Sequence, residues 1–214
     1  MEIRPLVESI PLRKGDSLPK GRNRQEFRMS SVTQVPATLD DLYRVKGKAE
    51  LINGRIVRSM PTGFRPGRVG AGIFRSLDDY AEATGRGVAL PDNVGFAVPE
   101  LSSGRQSFSP DAAYYLGPLP SNPMRFLDGP PTFAVEVRSE NDYGDAADAE
   151  MAAKRADYFE AGTAVVWDVD PIHEIVRKYP KDSPDRPAVF VRGQAADAEP
   201  VVPDWRMAVD QIFA

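Results

Sequence analysis

The chain has no cysteine. Disulfides, thiolate metal sites and a cysteine nucleophile are therefore excluded. Histidine is almost as scarce. His173 is the only one, and it follows Asp170-Pro171 in a predicted turn between strands, where it reads as an exposed turn residue. A single histidine at a turn supports no Ser-His-Asp triad. No apolar run approaches the roughly 20 residues that a membrane-spanning helix needs. The opening Met-Glu-Ile-Arg-Pro also lacks the apolar segment of a secretory signal. No membrane partner is expected, and a cytoplasmic location fits. Strong positive charge is absent as well: 27 Lys and Arg against 31 Asp and Glu leave a net charge of -4. That argues against a bulk nucleic-acid coat protein, but not against an enzyme with a local basic patch. The glycine loop that cradles nucleotide phosphates in P-loop proteins is missing too.

What remains is an ordinary globular composition, 42% hydrophobic and 27% charged over 214 residues, enough for one domain with a full core. Residues 1–37 carry scattered charge, Pro and Gly without a period and read as a flexible extension. Met29-Ser30-Ser31 resembles a second start, and an intact mass that includes residue 2 would refute it. From Thr38 the pattern changes. Thr38 and Asp41 have capping-box spacing, and Leu39, Leu42, Tyr43 and Val45 give a helix an apolar side that Gly47 can end. Asn53-Gly54 between apolar runs predicts a hairpin over 50–57. A helix is predicted over about 69–83, stopped by Gly85 and Gly87. Strands are predicted near 87–90, 94–98, 111–115 and 132–138, with an irregular loop over 116–131. An alanine-rich helix over 145–161 ends at Gly162. Strands at 163–169, 173–179 and 188–192 and a short amphipathic end after Pro203 complete the chain. The fold class is α/β, an α+β sandwich around one sheet.

The chemistry concentrates in three places. Asp111 follows Pro110 and opens the short apolar run Asp-Ala-Ala-Tyr-Tyr. Glu136 lies inside Thr-Phe-Ala-Val-Glu-Val-Arg, where an ionised carboxylate is costly unless paired or bound to a cation. Lys154 follows on the helix. Strand alternation puts Glu136 and Arg138 on one face and Phe133, Val135 and Val137 on the other. Helical spacing groups Glu150, Lys154 and Tyr158 on one side. A separate stripe of Ala149, Ala152, Ala153, Ala156 and Phe159 is predicted to pack on the sheet. Two carboxylates on neighbouring strands near a lysine can hold a hard divalent ion and polarise a phosphate ester, which points to a metal-dependent nuclease. Plainer readings stand beside this one. Lys154 forms a surface pair with Glu150, Asp111 is a turn residue, or Glu136 is a structural partner of Arg138.

Several segments together resemble the Uma family of endonucleases, a bacterial branch of the PD-(D/E)xK superfamily. They are Ala49 to Val57, Pro110 to Tyr114, Phe133 to Ser139, Lys154 to Gly162, Val165 to Pro171 and Pro203 to Arg206. The order and spacing of these segments carry the resemblance, over about 38–214. It implies a restriction-endonuclease-like domain, a mixed central sheet flanked by helices. It also implies that Asp111 and Glu136 bind Mg²⁺, with Mn²⁺ as a substitute and Glu50 as a third ligand. Arg138 stands where the superfamily's lysine is usual, so the resemblance assigns the lysine's role to Lys154, with Tyr158 orienting it or touching phosphate. Arginine stays protonated and cannot act as a base, although it can stabilise phosphate charge.

DNA is the implied partner. Arg55, Arg58 and Arg68, with Arg65 and Arg75, lie between the hairpin and the following helix and suit phosphate contact. A solvated face balanced by Asp78, Asp79 and Glu82 is an equal reading. A homodimer is a family-level expectation only. The alternatives to an active nuclease are a nuclease-fold protein that has lost activity and serves as a nucleic-acid-binding or scaffold module, and a hydrolase of another phosphate ester.

Overall fold

The computed structural model describes residues 35–214. The expectations for the extension and for a start at Met29 fall almost wholly outside these residues. Within them, Ala37 already donates its backbone N–H to Gly54 of the hairpin, at 2.8 Å.

Thr38 caps the first helix, α1 (Leu39–Leu42), through the predicted capping box with Asp41. The helix is one turn long and does not reach Gly47. The hairpin follows as β1 (Ala49–Ile52) and β2 (Arg55–Arg58), turning at Asn53-Gly54, both with positive φ. Next comes α2 (Phe64–Thr84), closed by Gly85 at φ 64°. It starts one turn before the predicted Val69, because its first residues face solvent and add nothing to the apolar period. Pro66 is tolerated there, since a first helical turn has N–H groups without helical partners.

Strands β3 (Val88–Pro91), β4 (Phe96–Ala97), β5 (Ser107–Phe108), β6 (Ala112–Tyr115), β7 (Leu127–Asp128) and β8 (Phe133–Val137) lead to α3 (Asp145–Ala161). After it come β9 (Val165–Asp170), β10 (Ile175–Pro180), β11 (Ala188–Phe190), β12 (Ala195–Asp197), β13 (Arg206–Ala208) and α4 (Val209–Ile212). Six strands form the main sheet in the order β11-β10-β9-β8-β6-β3. Its pairs are antiparallel except β8 with β9, which α3 joins as a parallel crossover. A small sheet, β5-β4-β7, packs beside it. Of its two-residue strands only β4 lies within a predicted strand, 94–98; β5 and β7 are too short to show alternation.

One face of the main sheet buries Phe133, Val135 and Val137 with Val69, Ile73 and Leu77 of α2 and the C-terminal Trp205 and Ile212. The other buries Ala134, Val166 and Tyr115 with Phe96 and Phe108 of the small sheet and Tyr158 and Phe159 of α3. The period of two therefore holds in β8, and Glu136 lies on the α3 face.

The orientation of α3 departs from expectation. Ala149, Ala152, Ala153 and Ala156 are exposed, whereas Asp157, Tyr158 and Phe159 are buried. The stripe expected to pack on the sheet faces water, apart from Phe159. Ion pairs set the rotation of this helix: Lys154 reaches Glu136, Arg155 approaches Asp168, and Asp157 accepts from Arg105. A polar buried side is invisible to a hydrophobic period.

Candidate active site

The predicted residues meet where β1, β6, β8 and α3 converge. Glu136 is held in the middle of β8 and is 8% exposed. Its Oε1 accepts from the Tyr158 hydroxyl at 2.6 Å and lies 2.8 Å from Lys154 Nζ. The same ammonium is 3.4 Å from Glu50 Oε1. Lys154 thus bridges two buried carboxylates and makes no ion pair with Glu150, so the surface-pair reading fails. Glu50 is held further by Ser109 N–H, at 2.9 Å, and by the Arg105 guanidinium. Asp111 precedes β6 and accepts from Val137 N–H at 2.8 Å through Oδ2, which ties it to the residue after Glu136.

Two members of the site escaped the sequence reading. Lys48 Nζ lies 2.7 Å from Asp111 Oδ1 and 2.7 Å from Asp92 Oδ1. Arg105 lies between Glu50 and Asp157, with Nε 2.8 Å from Asp157 Oδ2. Neither sits in a motif, and no local signal marks them. They reach the site through pairings distant in sequence, with Arg105 next to the short β5.

Arg138 is not brought in with the others. Its Nε and Nη2 each donate to Asp168 at 2.7 Å, and Nη1 donates to Asp148 at 2.6 Å and to the Asp142 carbonyl at 3.1 Å. The plain reading of Glu136 as its partner fails too. Arg55, Arg58 and Arg68 are exposed, and Arg58 donates to the Lys46 carbonyl at 2.9 Å. His173 is exposed as expected, with Nδ1 2.9 Å from Asp170 Oδ2.

The electrostatics are those of a crowded acidic site with built-in cations. Burial pushes the Glu136 carboxyl above the ordinary glutamate value. Lys154 opposes that shift, while the charges of Asp111 and Glu50 add to it. Burial acts on Glu50 in the same sense, but Lys154 and Arg105 overcome it and hold Glu50 below the ordinary value. Burial opposes the charge on Lys154, yet Glu136 and Glu50 prevail and hold its pKa above the ordinary lysine value. Lys48 behaves likewise against Asp111 and Glu136. Burial, then the negative Glu136 and Glu50, keeps the Tyr158 hydroxyl protonated as a donor. The two carboxylates thus favour the ammonium form of Lys154.

Among the described residues no group of three or more Asp, Glu, His or Cys is arranged to hold a metal ion. The donor chemistry still fits Mg²⁺. This ion takes one or two carboxylates, completes its shell with water and substrate phosphate oxygens, and avoids all-protein cages. Asp111 and Glu136 are two such carboxylates; Lys48 and Val137 N–H already engage Asp111, Tyr158 and Lys154 engage Glu136 through Oε1, and Arg105, Ser109 and Lys154 engage Glu50.

A family model described as Uma2, putative restriction endonuclease, matches residues 36–210. The chain is similar in structure to a putative nuclease of the DUF820 group from Anabaena variabilis. The TM-score is 0.64 at 16% identity, over 83% of this chain and 98% of the other. That likeness shows the fold. No curated protein matches the chain.

Proposed function

The chain belongs to the Uma2 family, and from that premise we propose that it is a divalent-metal-dependent endonuclease that hydrolyses phosphodiester bonds of DNA. The observation that carries this reading is Lys154 at 2.8 Å from Glu136, buried beside Glu50 and Asp111 on the face of a mixed sheet. Residues 38–214 form the nuclease domain in this proposal, with 1–37 as an extension. Asp111 and Glu136 hold Mg²⁺, or Mn²⁺ in its place. When bound, the ion supplies positive charge to the phosphate and a more acidic water.

The chain's own groups do the rest. Tyr158 donates to Glu136 Oε1 and fixes the rotation of that carboxylate. Val137 N–H does the same for Asp111. Lys154 remains protonated, so it orients the attacking water as a donor and offsets negative charge that develops on the phosphate. Glu50, itself fastened by Arg105, anchors Lys154 from behind. Arg138 supports the strand end through Asp168 and takes no part in the chemistry.

The test is nicking of supercoiled plasmid and cleavage of single-stranded DNA as Mg²⁺ and Mn²⁺ are titrated into wild type, Glu136→Gln and Asp111→Asn. Metal-dependent cutting should fall about 10²-fold or more in each variant. DNA binding without cutting at any metal concentration would favour the second reading, a binding module. That reading draws on the engagement of Asp111 and Glu136 by lysine ammonium groups.

A further inference from the structure

A cavity lies on the other flank of α3 from Lys154. It has a volume of about 460 Å³ and is lined by Arg138, Arg155, Arg177, Tyr143, His173 and Tyr179 together with Gly144, Asp148 and Asp170. We propose that this cavity binds the phosphate group of a nucleotide through Arg155 and Arg177.

The oxygens of Asp170 at the cavity are already used. Asp170 Oδ1 accepts from the Tyr143 hydroxyl at 3.0 Å, from Ile172 N–H at 3.1 Å and from His173 N–H at 3.0 Å, and Oδ2 meets His173 Nδ1. Beneath them, both oxygens of the fully buried Asp168 are taken by Arg138. The guanidinium donors are not used up. Arg155 Nη1 stops 3.7 Å from Asp168 Oδ2, and its N–H groups have no hydrogen-bond acceptor among the described residues. Arg177 makes one long contact, 3.5 Å to Asp170. Asp148, at the rim and 55% exposed, is the one acid with capacity left, and it already pairs with Arg138.

A cavity rich in free donors and short of free acceptors takes an acceptor ligand. The planar fork of arginine matches phosphate oxygens in pairs. Arg155 is also pre-oriented: its guanidinium stacks 4.0 Å over the Tyr179 ring, which cuts the ordering cost of binding. The volume is of the size that holds a whole small ligand rather than a bare ion. Tyr143 and His173, with ring centroids 6.1 Å apart, add faces on which a base can stack. The nucleotide part of the ligand rests on the nuclease reading, whereas the phosphate part rests on the arginines alone.

The test is calorimetric titration of the full chain, without added divalent ion, by inorganic phosphate, thymidine, thymidine monophosphate and terminally phosphorylated or unphosphorylated oligothymidylate. Saturable binding of the phosphorylated probes but not of thymidine is expected. Affinity should weaken about tenfold or more in Arg155→Gln and in Arg177→Gln, and hold in Glu136→Gln. Tighter binding of the phosphorylated oligonucleotide than of the monophosphate assigns a strand end, and the reverse assigns a free nucleotide. Arg155 packs against buried Asp168, so Arg177→Gln, at the more exposed edge, keeps the test valid if Arg155→Gln folds poorly. No phosphate binding by wild type, unchanged affinity in Arg177→Gln, or loss in Glu136→Gln would overturn the proposal. Cutting is not part of the readout, so a chain that cleaves nothing still tests the cavity.

Discussion

At the scale of single residues, Glu136 and Lys154 should respond to mutation in opposite ways. The folded structure raises the Glu136 pKa despite its lysine partner. Its proton is bound more tightly in the folded chain than in the unfolded one. Stability is therefore lost as pH rises from the ordinary glutamate value, roughly 4.3, through the raised one. Glu136→Gln keeps the shape and the acceptor for Tyr158 while removing that loss. In metal-free protein it should be neutral or stabilising at pH 7, with a smaller gain at pH 4, as measured by urea denaturation at both values. Lys154→Met leaves Glu136 and Glu50 facing each other without their cation. Breaking a buried pair from one side costs about 3–5 kcal/mol. With the Lys154 side chain 21% exposed, the lower end of that range applies. Glu50, held below its ordinary value, has the opposite sign to Glu136. Its contribution is present above the ordinary glutamate value and is lost as pH falls through the lowered one.

At the scale of elements, α3 shows what a sequence reveals and what it hides. Its ends were legible, because Gly162 stops it and the alanine-rich run has no other fate. Its rotation was not. Counting apolar residues selected Ala149, Ala152, Ala153 and Ala156 as the inner side, but these positions are exposed, and the inner side carries Lys154, Asp157 and Tyr158. Ala153→Gln should therefore change stability by less than about 0.5 kcal/mol. Asp157→Ala, which strips Arg105 of one carboxylate at 2.8 Å, should cost about 3 kcal/mol. Thermal or urea unfolding of the two variants checks the assignment directly. The strand β8 was fully legible, since five buried residues alternate cleanly and a glutamate among them needs an explanation. Lys48 and Arg105 were not, because the pairs that define them span 63 and 55 residues of sequence.

At the scale of the whole molecule, a net charge of -4 means that any DNA affinity must come from a local surface. If Arg55, Arg58 and Arg68 contact phosphates, alanine at each should weaken binding about equally for all sequences and reduce the salt slope by about one. Binding followed by fluorescence anisotropy between low and moderate salt reads both effects. The same scale shows what α3 does for the molecule. Adjacent residues, Lys154 and Arg155, lie on its opposite flanks, one toward β8 and β1 and the other toward β9 and β10. Asp148, two turns earlier, is fastened to Arg138. The helix behaves as an indexed shaft whose angular setting is locked at two stations. One alanine inserted between Ala152 and Ala153, on the solvent side, would preserve helicity and yet turn one station against the other by about 100°. Either Lys154 or Asp148 must then lose its partner, so the azimuth of a single helix sets the geometry on both of its flanks.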